Sequence, residues 1–250
     1  MTILGHRIPM MFSLLVWFAL WEAIGRLDLV VLIPPFTDVI AAGVTMLPSK
    51  RFQDAIAISF SAFAIGMAFS VTTGVVLGVL MGRVKAIGEL MGMWVNIFES
   101  SPLTAVIPVL MAVLGFGQAT IITAVFLFSV WVIALDTQVG VKHVNPSLLE
   151  MGRSFGAGRF ALYSKILIFA ALPEILAGIR LGVIRGVKGV VIGQLLVAII
   201  GVGELFELYS RNFLMEEFWA LIVMLFAFAF AVSEAVGYVE RRVAYYASTR

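Results

Sequence analysis

Four charges set in apolar surroundings, Glu99, Asp136, Arg185 and Lys188, are the residues of this sequence with most chemistry to offer. Arg185 and Lys188 stand three apart, so on a helix they share a face. A cation at the centre of a bilayer costs about 2.5 to 3.5 kcal/mol on insertion scales. Such a pair needs acidic partners, water or an anionic ligand, and Glu99 and Asp136 are the candidate partners. Ser100, Ser101 and Thr104 flank Pro102, where a helix is expected to break, and irregular backbone at membrane depth is tolerated mainly where it lines a cavity. Gln194 adds an amide able to bond across helices or to a solute. Together these groups suit a translocation pathway, with Arg185 and Lys188 lining or bordering it. Arg180, nearer the helix start, is expected to reach the cytoplasmic interface. Catalytic chemistry finds no such support. There is no cysteine, His6 and His143 are far apart, and no paired carboxylates or serine with a histidine partner stand at useful spacing.

Lipid is the solvent that the composition demands. Of 250 residues, 62% are hydrophobic and 13% charged, with a mean hydropathy of +1.08, where a soluble chain carries about 25% charged residues. The elements that must position the charges are spans of about 20 residues. The first runs from Ile8 to Ile24, read as a retained anchor rather than a cleaved leader. A connection from Leu27 to Arg51 follows, with a short amphipathic helix from Phe36 to Met46. Further spans run from Ala55 to Met81, from Met91 to the Gly115 turn with Pro102 and Pro108 inside it, from Ile121 to Val139, from Glu174 to Ile199, and from Phe218 to Val239. The expected fold is an all-α integral membrane protein of six transmembrane helices. Residues 1–51 form an N-terminal anchor and extracytoplasmic connection, and residues 52–245 the transmembrane core. Basic residues test the topology, because Lys and Arg collect in cytoplasmic loops. Ten fall on the side of the termini (Arg7, Arg83, Lys85, Lys142, Arg153, Arg159, Lys165, Arg241, Arg242, Arg250) and four on the other (Arg26, Lys50, Arg51, Arg211), so both termini are expected in the cytoplasm. Basic residues so distributed form no nucleic-acid patch. Glycines four apart (Gly74, Gly78, Gly82; Gly178, Gly182, Gly186) let helices approach closely, within one subunit or across a dimer axis.

The longest cytoplasmic connection, 140–172, is far longer than two spans need. Ser147 with Glu150 three residues on reads as a capping box. Gly156 and Gly158 stop that helix, and a second amphipathic helix leads to Pro173. The pair is either an interfacial element lying on lipid or a dock for a cytoplasmic partner. Glu150, Met151, Gly152, Gly156 and the closing Ala171-Leu172-Pro173 resemble the signature of bacterial ATP-binding-cassette (ABC) importer permeases. That signature is Glu-Ala-Ala, three residues, Gly, about nine residues, then Ile-x-Leu-Pro; Met151 and Gly152 replace its two alanines. Ser101 to Gly117 and Gly178 to Leu205 are similar to segments of the nitrate, sulfonate and taurine branch.

The resemblance implies a type I importer permease arrangement with a cytoplasmic coupling helix, in which Glu150, Met151, Arg153, Ser154, Phe155, Gly156, Ala157 and Pro173 meet the ATPase. It implies a homodimer in the bacterial cytoplasmic membrane, two cytoplasmic ATP-binding subunits and an extracytoplasmic binding protein. ATP and Mg are held by the partner ATPase, with no cofactor and no catalysis in this chain, and the solute is small and anionic, nitrate-, sulfonate-, taurine- or aromatic-acid-like. Where related permeases carry a glutamate, this chain has Gln194. The chain has no Gly-Lys dipeptide, hence no phosphate-cradling loop of the Walker-A type. A secondary transporter or channel relaying ions through the intramembrane charges is the alternative; it lacks an inverted repeat and leaves the loop unexplained.

Overall fold

Each long apolar run becomes a helical body, because backbone in lipid must satisfy its own hydrogen bonds and a helix does so within one segment. The computed structural model describes residues 2–3, 6–7, 10–197 and 199–248, with side chains for 12–197 and 199–242. The expected span start at Ile8, the side chain of Arg7 and the charge of Arg250 lie outside the described residues. A two-residue antiparallel pairing, β1 (Thr2–Ile3) with β2 (His6–Arg7), precedes α1 (Met10–Arg26). The short α2 (Phe36–Met46) has the limits expected from sequence. α3 (Lys50–Arg83), α6 (Gln118–His143) and residues Met215–Arg242 of α12 (Met215–Ser248) are each long and apolar enough to cross a bilayer.

Two further bodies are bent. α4 (Lys85–Ser100) passes through a 3-10 turn (Leu103–Val106) into α5 (Ile107–Leu114) with a bend of 91°. An arm made of α8 (Arg159–Ala161), a π-helical stretch (Leu162–Leu167) and α9 (Ile168–Ala170) meets α10 (Leu172–Val197) at 65°. α7 (Pro146–Ser154) lies between α6 and the arm, and α11 (Val202–Arg211) between α10 and α12. With α1, the three long helices and two bent pairs account for the six expected bodies.

Some details depart from expectation. The third body starts at Lys85 rather than near Met91, since Val84 alone, extended at φ −110°, separates it from α3. Its break is a sharp bend: Pro102 has no N–H to continue α4, and its ring drives Ser101 to ψ 145°. Pro108 does not break anything, because it sits at the start of α5, where the missing N–H is no loss. The amphipathic α11 was invisible in hydropathy, being ten residues long with three acidic or basic side chains on it besides its apolar face, Glu204, Glu207 and Arg211.

α6 forms the axis, buried on many sides and flanked by α3 and α10. The glycine strips explain how closely they approach. A Cβ added at Gly78 of α3 would lie 2.5 Å from the Ala134 carbonyl and Thr137 Cβ, and one at Gly82 2.6 Å from Val141. On α10, Gly178 and Gly182 face Asp136 and Ile133 at 2.7 Å in the same sense. Both strips therefore pack within the chain. Three apolar clusters follow along the bundle. Val39, Leu205, Phe206 and Leu221 join α2, α11 and α12; Ile121, Val125, Ile133 and Val187 fill the middle; Val141, Leu149, Leu167 and Ile175 close the end that bears α7. At the opposite end the Trp21 indole N–H donates to the Pro34 carbonyl at 3.0 Å and that of Trp219 to Leu32 at 2.8 Å, their rings 5.3 Å apart. Indoles with apolar bodies and satisfied N–H groups are typical of a membrane–water boundary.

Candidate functional site

Glu99, next to the end of α4, forms a salt bridge with Arg185 of α10, tying the bent third body to the fifth. Beside it Phe98 stacks on Trp131 of α6, centroids 4.6 Å apart. Of the two acidic partners expected for Arg185, Glu99 is the one engaged; Asp136 packs on Gly178 and makes no salt bridge among the described residues. The Ser100 and Ser101 hydroxyls donate back to the Asn96 and Ile97 carbonyls at 2.8 and 2.6 Å, satisfying the last turn of the interrupted helix. Pro102 and Thr104 are exposed on the same segment.

Lys188 goes elsewhere. Three residues turn a helix by about 300°, so side chains at that spacing diverge by roughly 60°. Arg185 turns to α4, whereas Lys188 is exposed at an apolar groove of about 500 Å³ between α10, α11 and α12, lined by Ile184, Leu195, Phe206, Ile222 and Phe226. It has no ion pair among the described residues. Arg180 pairs with Glu234 and Glu240 of α12, each at 3.5 Å.

Gln194, in the last turn of α10, is only 1% exposed and packs against the connection to α11. The Ser59 hydroxyl of α3 lies 2.9 Å from both Gln194 Oε1 and the Ala55 carbonyl and accepts the Val202 N–H at 3.0 Å. Gly201, at φ +65°, packs directly on the Gln194 side-chain amide, and Gly203 on the Gln194 carbonyl. Ser59 is thus the unforeseen partner here, a lone serine in an apolar run with no local signal. Ser59→Ala leaves the Val202 N–H buried and unpaired, and is expected to cost about 1–2 kcal/mol, read as a lower melting midpoint in detergent.

The second cluster is the arm. The Asn145 side chain accepts the Ser147 N–H at 3.0 Å, and Pro146 opens α7. Asn145, not Ser147, is therefore the N-cap, and the Asn-Pro pair is the signal for it. At the other end the Gly156 N–H bonds the Arg153 carbonyl at 2.9 Å and the Ala157 N–H the Gly152 carbonyl at 3.0 Å, a Schellman closure with Gly156 at φ +80°. Among the described residues, nothing beyond its chain neighbours lies within 4 Å of where its Cβ would be, so glycine is required there for conformation alone.

Gly152 has the opposite reason. Its Cβ would strike Ile166 and come within 2.7 Å of Leu162, so glycine in place of the signature alanine lets α7 settle onto the arm. Leu149 completes this inner face against Val141, Leu167 and Ile175. Glu150, Met151, Ser154 and Phe155 are left on the outside, while Arg153, also exposed, lies on the side of Leu149 and the arm. Met151 and Phe155, four apart on one face, are 51% and 86% exposed. Pro173, in the first turn of α10, accounts for the 65° bend, since its ring excludes the carbonyl of Phe169. The residues expected to meet an ATPase and those expected to line a pathway thus fall in two groups, linked through Ile175 at the base of the helix that carries Arg185.

Comparison with known proteins gives a consistent picture. Residues 74–245 match the family described as "Binding-protein-dependent transport system inner membrane component". A probable ABC transporter permease protein of Brucella melitensis biotype 1 is 30% identical over 173 residues, 69% of this chain and 70% of that protein. The taurine transport system permease protein TauC of Escherichia coli (strain K12) is 24% identical, with 92% of this chain and 86% of that protein covered. Among solved structures, a chain of the MetNI methionine ABC transporter in an inward-facing conformation matches with a TM-score of 0.58 at 21% identity. It covers 78% of this chain and 94% of that chain, a likeness of fold.

Proposed function

Because the chain belongs to the binding-protein-dependent transport system inner membrane components, we propose that it is the non-catalytic, force-receiving permease of an ATP-driven importer. Two cytoplasmic subunits bind ATP and Mg and hydrolyse it, a second copy of this chain completes the membrane unit, and an extracytoplasmic binding protein delivers the solute. Residues 52–245 are the transmembrane core and 1–51 its anchor and outer connection. Both termini and the loop 140–172 lie in the cytoplasm. One observation carries the reading: α7 is seated through its own Leu149 and Gly152 on Val141, Leu162, Ile166 and Ile175 and holds Met151 and Phe155 out into solvent. Burial of such side chains is worth about 1.5–3 kcal/mol each, and a helix so seated passes a push on to α6 and α10. Purification of the full chain with its cytoplasmic partners tests this. An ATP-binding subunit should accompany the wild type and be lost from a Met151→Ser/Phe155→Ser variant; retention by the variant, or no such subunit with the wild type, defeats the proposal.

The solute is a small molecule bearing an anionic group, and Glu99, Ser100, Ser101, Pro102, Thr104, Arg185 and Lys188 border its route, with Gln194 bracing one end. Lys188 supports this. It lies roughly 24 Å along α10 at 1.5 Å per residue, and facing lipid there it would cost about 2.5–3.5 kcal/mol, so its groove faces water or protein. Similarity to a taurine permease along most of the chain points the same way. Lys188→Gln should cut uptake about tenfold, a change of 1.4 kcal/mol, with the ATPase still attached; unchanged uptake removes Lys188 from the route. An ion relay is disfavoured, because Glu99 and Arg185 neutralise each other.

A further inference from the structure

Behind α7 a cavity of about 390 Å³ opens between the end of α3 and the arm. Arg83, Arg153 and Arg159 converge on it from three elements, with Tyr163 beside them and Leu149 and Leu162 in its wall. No acidic side chain lines it, and none of the three arginines makes a salt bridge among the described residues. The Arg83 guanidinium is held over the Tyr163 ring, 5.6 Å from its centroid. Like charges gathered without a counter-charge repel one another, and an anion relieves that repulsion.

We propose that this cavity binds a phosphate-bearing anion, the headgroup of an anionic membrane lipid. The planar guanidinium fork matches phosphate oxygens two at a time, and the leucines offer an apolar wall to the glycerol and first acyl carbons. Position argues for the membrane as the source. Arg83 is the last residue of a helix long and apolar enough to cross the bilayer, and a basic side chain at such an end is suited to meet headgroups. The arm leaves α10 at 65° and exposes Phe160 (85%) and Phe169 (64%), side chains suited to an interfacial helix. Basic pockets between helices at this level are suited to lipid headgroups. A lipid seated there touches Leu149 and Arg153 of α7, so it braces the helix from the side opposite Met151 and Phe155. The assignment goes beyond the import reading and stands without it.

Native mass spectrometry of the full purified chain, titrated with phosphatidylglycerol or phosphatidylcholine, reads the site directly. The wild type should retain one phosphatidylglycerol in preference to phosphatidylcholine. Arg83→Gln/Arg159→Gln should weaken that retention about tenfold, and Lys142→Gln, outside the cavity, should leave it intact. Arg159→Lys keeps the charge but loses the fork, so an intermediate loss is expected even if the double variant fails to fold. Equal retention in wild type and Arg159→Lys and Arg159→Gln overturns the proposal. Inorganic phosphate that displaces phosphatidylglycerol at equal concentration assigns the cavity to a free anion and overturns the lipid source. Displacement by an added ATP-binding subunit makes it a protein contact and overturns it as well.

Discussion

Uptake should fall at least about tenfold when Gly156 is replaced by valine, with the partner subunits either released or hydrolysing ATP without transport; a tenfold change corresponds to 1.4 kcal/mol. Gly156 stands at φ +80°, where a β-branched residue is strained by about 1–3 kcal/mol. The chain escapes that strain by leaving the left-handed region, which breaks the bonds from Gly156 to Arg153 and from Ala157 to Gly152. The last turn of α7 then unwinds and carries Phe155 off its mark. Because nothing among the described residues beyond the chain neighbours lies within 4 Å of the added Cβ, the effect is conformational rather than a clash. Asparagine tolerates this conformation far better than valine, so Gly156→Asn should keep most of the uptake. Uptake into proteoliposomes, measured together with ATPase rate, separates the cases. Normal coupled uptake in the valine variant sinks the lever, and equal damage by asparagine and valine sinks the conformational account.

The second large effect is at the Glu99–Arg185 pair. Removing one partner of a buried ion pair costs about 3–5 kcal/mol, because the other charge is stranded. These side chains retain 23% and 38% of their exposure, and screening lowers the expectation for Arg185→Gln to about 2–3 kcal/mol. The neutral double variant Glu99→Gln/Arg185→Gln strands nothing, and should recover part of that loss, with a coupling of about 1–3 kcal/mol. Melting midpoints in detergent give the cycle. Uptake should drop in each single variant, since the bridge is what joins the bend after α4 to the helix that continues from the arm. Losses that simply add would mean the pair holds nothing together.

Much of this was legible in the sequence for a reason rooted in single segments. Whether a run of residues prefers lipid depends on its own side chains, so the six bodies and the break at Pro102 could be read without a partner in view. Gly156 was legible too, because the left-handed turn it makes is a local event. Helix α2 came out at Phe36–Met46 for the same reason: Pro35 before it and Pro48 after it bound it in the chain itself.

Tertiary structure alone decided what depends on helix rotation and depth. Arg180 found Glu234 and Glu240 on a helix far along the chain, and Arg185 took Glu99 while Asp136 packed on Gly178. Lys188, on nearly the same face as Arg185, was sent to another groove. Gln194 was closed in by Ser59 and two glycines that no spacing connects to it. By itself the sequence determined a lipid-borne helical chain with a short helix, closed by Gly156, in its longest loop. The packing of α3 and α10 around α6 decided which charge meets which, because a few tens of degrees of helix rotation exchange one partner for another.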